Sequence, residues 1–189
     1  MEQSFLVVGV VLAVVGIATV GYVASLYNSM IQVKNSVDKA WSNIDVLLQQ
    51  RHDELMNLVE AVRGYMSHER SVLEALTRLR GGYGEAKSVG EKVEIENQLN
   101  HELSLLRQTW ESYPELKSSQ NVLQLQERIT GLESAIADRR ELYNDSVNIY
   151  NIQIQRFPDL FLARRVGFDD KKPLEVPAEV KKNPGARLS

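Results

Sequence analysis

Three histidines in this chain each precede an acid: His52-Asp53, His68-Glu69 and His101-Glu102. An imidazole beside a carboxylate has the makings of a general base or a metal site. The spacing argues against both. Neighbours on a helix point about 100° apart, so a His-acid dipeptide cannot close on one ion. His52 and His68 are 16 residues apart, on nearly opposite helix faces. No two histidines stand four apart, and no Glu precedes a His by three, as a di-iron bundle requires. The phosphate-binding, dinucleotide-binding and nucleophile-elbow glycine patterns are absent, and the glycine-rich GGYGEAKS at 81–88 places Lys87 wrongly for a phosphate loop. There is no cysteine to act as nucleophile, metal ligand, disulfide or lipid attachment point. No catalytic residue, metal or cofactor is therefore expected, and the chain reads as a non-enzyme. An enzyme working through His52 with Asp53 is the third reading, disfavoured by the missing motif spacings.

One polar feature is left. In VLLQQRHDELMNLV (46–59) an apolar helical stripe is interrupted by Gln-Gln-Arg-His-Asp-Glu and then resumes on the same face. Residues 135–141, AIADRRE, interrupt a later helix in the same way. If the two helices pack antiparallel with Val37 near Phe157, Arg51 falls at the height of residues 139–143. The sequence thus predicts a shared polar layer of Arg51, His52, Asp53, Asp138, Arg139, Arg140 and Glu141. Acids such as Asp53, Asp138 or Glu141 would neutralise its arginines. Such a layer fixes register more than it adds stability.

The elements that would position this layer start at the N-terminus. No charged side chain occurs from Gln3 to Val33. Residues 5–27 would span about 34 Å as a helix, enough to cross a bilayer core of about 30 Å. The start carries no Lys or Arg, and the apolar run exceeds a signal peptide's core, so a retained single-pass anchor is expected. Gly9, Ala13 and Gly16 make one side small, which suits self-association in lipid. Lys34 and Lys39 follow the span while only Glu2 precedes it, a positive-inside bias that places the N-terminus outside and the rest in the cytoplasm.

Beyond the span, Val37, Trp41, Ile44, Leu48, Leu55, Val59, Val62 and Met66 recur at helical spacing. With no proline before Pro114, this predicts one rod running on through 68–80 to a turn formed by Gly81, Gly82, Tyr83, Gly84 and Ser88 to Gly90. Val93, Leu99, Leu103, Leu106, Trp110 and Tyr113 follow, and Pro114 ends that helix. PELKSSQN reads as a turn whose Ser118, Ser119 or Asn121 can cap the next helix. From Val122 to Phe157 apolar residues keep an alternating three–four step, the seam of a helical bundle. The fold class is all-α: a transmembrane helix continuing into an antiparallel bundle of three to four long helices. The organisation is a short segment 1–4, a span 5–27, a bundle domain 28–157 and a basic, proline-containing tail 158–189, too polar and broken to pack. Residues 34–157 carry 15 basic and 19 acidic side chains, which gives nucleic acid no basic face to bind. In RFPDLFLARRVGF (156–168) the residues Phe157, Leu160, Phe161, Arg164, Arg165 and Phe168 could lie at a lipid interface, or merely cap the bundle.

AWSNIDV, RHD with NLV, YPELK, LQLQE and YND, set in the stretches 37–69 and 113–158, closely resemble the LemA family of bacterial membrane proteins. The likeness runs from about Tyr27 to Phe168. It implies a single membrane anchor followed by a helical bundle and no established enzymatic activity, one branch being associated with forming the magnetosome membrane. The family more often has proline where this chain has Met56, and a proline there would kink the helix. Glu54 likewise stands where an apolar residue is usual. The expected function is a membrane-anchored scaffold that holds partner proteins or further copies of itself. The alternative is an oligomeric membrane-shaping or lipid-binding protein acting through the bundle and residues 157–168.

Overall fold

In the computed structural model the described residues are 2–66, 69–110 and 112–174. Among them there are helices and no strands: α1 (Glu2–Arg63), α2 (Arg70–Glu85), α3 (Val89–Trp110), α4 (Pro114–Ser118), α5 (Gln120–Gln155) and α6 (Asp159–Val166). The chain divides into two compact units. One takes the residues up to Ile44 together with those from Ala137 onward, and the other is Asp45–Ile136.

The first unit begins with the apolar part of α1, where no described residue covers the side chains: Phe5 is 76% exposed and Ile17 75%. This is the one described helix long and apolar enough to cross a membrane. Cover starts at its end, with Leu26 half-buried and Met30 fully buried. From there Met30, Val37 and Ile44 of α1 are buried, as are Tyr143, Val147, Tyr150 and Ile154 of α5. Removing each such side chain from water stabilises the packing by about 1.5–3 kcal/mol. Gln153 donates to the Ser29 hydroxyl at 2.7 Å, and the Trp41 ring meets Tyr143 edge-on at 6.1 Å, so the two helices run antiparallel.

The tail departs from expectation as far as it is described. Residues 169–174 lie along α5 instead of leaving it. Asn151 donates to the Lys171 carbonyl at 2.8 Å and accepts from its N–H at 2.9 Å. Asn144 does the same for Leu174, at 2.9 and 2.7 Å. Seven residues of helix rise about 10 Å, which three residues of extended chain also cover, so two asparagines one heptad apart can each grip one residue. Polarity did not prevent packing because side-chain amides replaced the backbone's water. Burial first, then the carboxylates of Asp169, Asp170 and Asp38, push the Tyr150 phenol up. Its hydroxyl donates to the Asp169 carbonyl at 3.0 Å. Residues 175–189 of the expected tail lie outside the described residues.

In the second unit the core is built from Leu55, Leu58, Val59 and Val62, then Met66, Leu73, Leu76, Leu99, Leu103, Leu106, Trp110, Leu116, Val122, Leu125 and Ile129. Two helix boundaries differ from the sequence reading. The expected rod breaks at Gly64, not at the glycines of 81–84. Gly64 costs a helix about 1 kcal/mol against alanine, and the turn it permits buries Met66 completely. Gly81, Gly82 and Gly84 are instead helical, within α2. Tyr83 between them is buried and anchors that last turn, so tertiary packing overrides the weak propensity. The turn falls just after, where Ser88 and Glu91 form a reciprocal capping box: the Glu91 N–H donates to Ser88 Oγ at 3.1 Å, and the Ser88 N–H to Glu91 Oε2 at 3.3 Å. At Pro114 the expectation holds: α3 has ended, and Pro114 opens the single turn α4, which buries Leu116. Helix α1 continues unbroken through Met56.

Candidate functional site

The polar interruption of α1 lies in the second unit, where two of its side chains point inward. Ile44, Leu48, Leu55, Leu58 and Val62 mark an alternating seam, and Arg51 occupies its missing position. Arg51 is 4% exposed and His52 3%. Opposite them on α3 stands Glu96, 1% exposed, on the seam of Leu99, Leu103, Leu106 and Trp110.

Glu96 serves both. Its Oε2 accepts from Arg51 Nη1 at 3.0 Å, and its Oε1 lies 2.7 Å from His52 Nε2. Arg51 Nη2 donates further to Asn100 Oδ1 at 2.7 Å and to Glu133 Oε1 of α5 at 3.0 Å. Arg107 also engages Glu133, at 3.1 Å. The His52 ring lies 4.5 Å from that of Tyr83, whose hydroxyl donates to Asp45 at 2.7 Å. Lys92 pairs with Asp45 as well and sits 5.0 Å above the Tyr83 ring. Burial first, then the Asp45 carboxylate it donates to and the charge of Glu96, drive the Tyr83 phenol far above the ordinary tyrosine range. Tyr83 is thus a fixed donor. Arg51, Lys92 and Arg107 balance Asp45, Glu96 and Glu133 in charge. Two buried atoms, Arg51 Nε and His52 Nδ1, have no hydrogen-bond partner among the described residues.

The partners foreseen for this layer are replaced. Asp53 faces solvent and pairs with Arg80 of α2 at 3.1 Å, whereas His52 turns inward to Glu96. Asp138, Arg139 and Glu141 are exposed and Arg140 half-buried, all in the first unit. A carboxylate on a surface turn stays solvated, whereas a buried guanidinium requires acids that share its burial. Glu96 meets that need, and the sequence does hint at it. The six-residue gap between Val93 and Leu99 hides a seam position, and Glu96 fills it. Glu54 pairs with Arg128 at 3.5 Å. His101 is exposed, and His68 lies outside the described residues. Among the described residues no group of three or more His, Asp and Glu side chains gathers to hold a metal ion.

What this arrangement does chemically is join α1, α2, α3 and α5 through directed, charged contacts. The Glu96 carboxylate is closed off by Arg51 and His52, and the histidine is sealed under Tyr83.

The residues expected at a lipid interface fall elsewhere, in the first unit. Phe157 is 80% exposed and Phe161 68%, and their rings meet edge-on at 6.0 Å. Arg164 and Arg165 are exposed and Leu160 half-buried. Phe168 is turned inward, 6.4 Å from the Tyr27 ring and 6.5 Å from that of Tyr150.

The family model for LemA matches residues 40–187. The chain belongs to the LemA family. Both the Arg51–Glu96 network and α6 lie inside the matched stretch, while the bare apolar part of α1 precedes it. Similar proteins include magnetosome proteins MamQ 1 and MamQ 2 of Paramagnetospirillum magneticum. Each is 24% identical over 181 residues, covering 80% of this chain and 66% of its own length. Magnetosome protein MamQ of Magnetospirillum gryphiswaldense is 23% identical over 190 residues, covering 85% of this chain and 70% of its own. The LemA chain described here thus spans about two-thirds of the length of these relatives.

Proposed function

We propose that this LemA-family chain is a non-catalytic, single-pass membrane scaffold: α1 crosses the bacterial inner membrane and the helices behind it hold partner proteins or further copies of the chain at its cytoplasmic face. One observation carries the reading. Helix α1 passes without interruption from an apolar stretch that no described residue covers into a stretch with buried side chains, so the anchor and the packed part of α1 are one continuous helix. A bare apolar helix of that length finds its solvent in lipid. The bundle also keeps an unused apolar line on α5, where Leu142, Ile149 and Ile152 are each more than half exposed on a face separate from the buried seam. Relatives that are magnetosome proteins agree with a role at a membrane. The buried network supports a structural part for His52, since its ring is covered and its Nε2 already held.

The test is photo-crosslinking in intact bacterial membranes from a probe at Ile149 or Ile152, with the size of the detergent-solubilised chain measured alongside. Protein adducts at these positions and an assembly larger than one chain are expected. A strict monomer that forms no adduct refutes the scaffold. Because the chain has no cysteine, Asn148→Cys reports orientation through its labelling by an impermeant maleimide. Protection in intact cells and labelling after lysis are expected for a cytoplasmic bundle.

A further inference from the structure

Among the described residues, helix α6 with the adjoining Phe157 is an exposed aromatic–cationic surface that the scaffold reading leaves unused, and its place in the first unit bears on what it faces. Gln153 of α5 is level with Ser29 of α1, which it contacts at 2.7 Å. Gln153 also donates to Asp159, the first residue of α6, at 3.4 Å. Just past the other end of α6, Phe168 packs on Tyr27. Eight residues of helix rise about 12 Å, yet the two ends of α6 are tied to α1 near Ser29 and Tyr27, about 3 Å apart in height. Helix α6 therefore lies across α1, at the point where the bare span ends.

Its two faces differ. Asp159 and Ala163, four apart, are buried, and Asp159 is held by Arg156 at 3.1 Å and Gln153 at 3.4 Å. Phe161, Arg164 and Arg165 sit opposite them and are exposed. Neither Arg164 nor Arg165 forms an ion pair with another described residue. The helix stops at Gly167, whose φ of 83° lets the Phe168 N–H return to the Ala163 carbonyl at 3.0 Å and fixes where α6 ends.

We propose that α6 is a lipid-contacting foot. Phe157 and Phe161 enter the boundary between headgroups and acyl chains, and Arg164 and Arg165 bind the phosphates of anionic lipids. This rests on α1 crossing the bilayer. It goes further by assigning a second, peripheral contact with the same membrane. An in-plane helix with aromatic residues on its free face and surplus arginines has the chemistry of an interfacial element. Continuity with the span selects lipid over a soluble partner, because the foot stands at the depth where headgroups begin.

The full chain, free of native cysteine, allows the test. Phe161→Cys, Ala13→Cys and Asn148→Cys are each spin-labelled and reconstituted into phosphatidylcholine vesicles with and without phosphatidylglycerol. Accessibility to oxygen and to a water-soluble nickel complex is then read. The label at 161 is expected to be shielded from nickel and open to oxygen, like that at 13 and unlike that at 148, most strongly with phosphatidylglycerol. Arg164→Gln and Arg165→Gln should each lower the shielded-to-exposed ratio about fivefold, the value of one cation near an anionic surface. A label at 161 as wet as that at 148, while that at 13 stays in lipid, overturns the foot alone. Shielding that ignores lipid charge and follows protein density instead assigns the surface to a second copy and also overturns it. A wet label at 13 removes the spanning reading and the foot with it.

Discussion

Replacing Glu96 by leucine should be among the most damaging single changes in the second unit, although it removes a charge and adds an apolar side chain to an apolar seam. Glu96 is the acid shared by Arg51 and His52, at 3.0 and 2.7 Å, and all three are almost fully buried. Breaking a buried pair by removing one partner costs about 3–5 kcal/mol, because the remaining charge keeps its desolvation penalty. Glu133 still faces the guanidinium at 3.0 Å with 29% of its side chain exposed, so the lower end, about 3 kcal/mol, is expected for Glu96→Leu. For a chain of this size that lowers the melting temperature by roughly 6–12 °C. Arg51→Met combined with Glu96→Leu should recover most of the loss. With both charges gone, the seam closes as an ordinary apolar one, and Glu133 keeps Arg107 at 3.1 Å. The measurement is the loss of helical circular dichroism on heating the full chain in mild detergent, completed as a double-mutant cycle with Arg51→Met alone. If Glu96→Leu melts within about 1 kcal/mol of the parent, or the double variant is no better than the single, the network is not the lock described here.

Three further outcomes follow from the same structure. Asn151→Ala and Asn144→Ala each remove two hydrogen bonds to the tail, so amide exchange at Lys171 and Leu174 should quicken at least about tenfold, at about 1–1.5 kcal/mol for the lost bonds, while Asn148→Ala leaves both amides unchanged. Gly81→Ala and Gly84→Ala meet nothing within 4 Å and lie in helix, so each should raise stability by about 0.5–1 kcal/mol; a fall on chemical denaturation would mean that the glycines form a turn after all. Burial alone would raise the Asp38 carboxyl, but Lys171 at 2.9 Å and Lys34 at 3.0 Å outweigh it and hold the carboxyl below its usual 3.8. A lowered folded pKa stabilises above the unfolded value and is lost as pH falls through the folded one. Asp38→Asn should therefore flatten the decline in melting temperature below about pH 4, and an unchanged acid limb would contradict the pairing.

The apolar seams were legible because a period of three and four residues survives without any knowledge of partners. They located α5 to within two residues of each end and gave the all-α class and the apolar span. What stayed hidden depended on contacts distant in sequence. Gly64 and the glycines of 81–84 look alike as helix breakers, and only the burial of Met66 and Tyr83 decides which of them turns. Asn144 and Asn151 look like ordinary polar residues of a solvated face. Their spacing of seven becomes meaningful only when an extended strand lies beside them. The candidate site was half legible. Arg51 and His52 stood out against their own seam, but Glu96 was obscured by reading its gap as an irregularity in an apolar run.

That gap also accounts for the polar layer. A helix whose seam holds only leucine, isoleucine and valine can slide by a heptad against a similar neighbour at small cost, because one apolar knob fits a hole nearly as well as another. Arg51 removes that freedom. A slip of one heptad would set the guanidinium at the level of Val89 or Leu103 on α3, and leave Glu96 against apolar side chains of α1. Each stranded charge would cost several kcal/mol, more than a mismatched layer of apolar knobs could cost. The network therefore acts chiefly through the alternatives it forbids. With the slip forbidden, the faces that α2, α3 and α5 offer beside α1 in this unit stay in one fixed alignment, which is what the proposed scaffold requires.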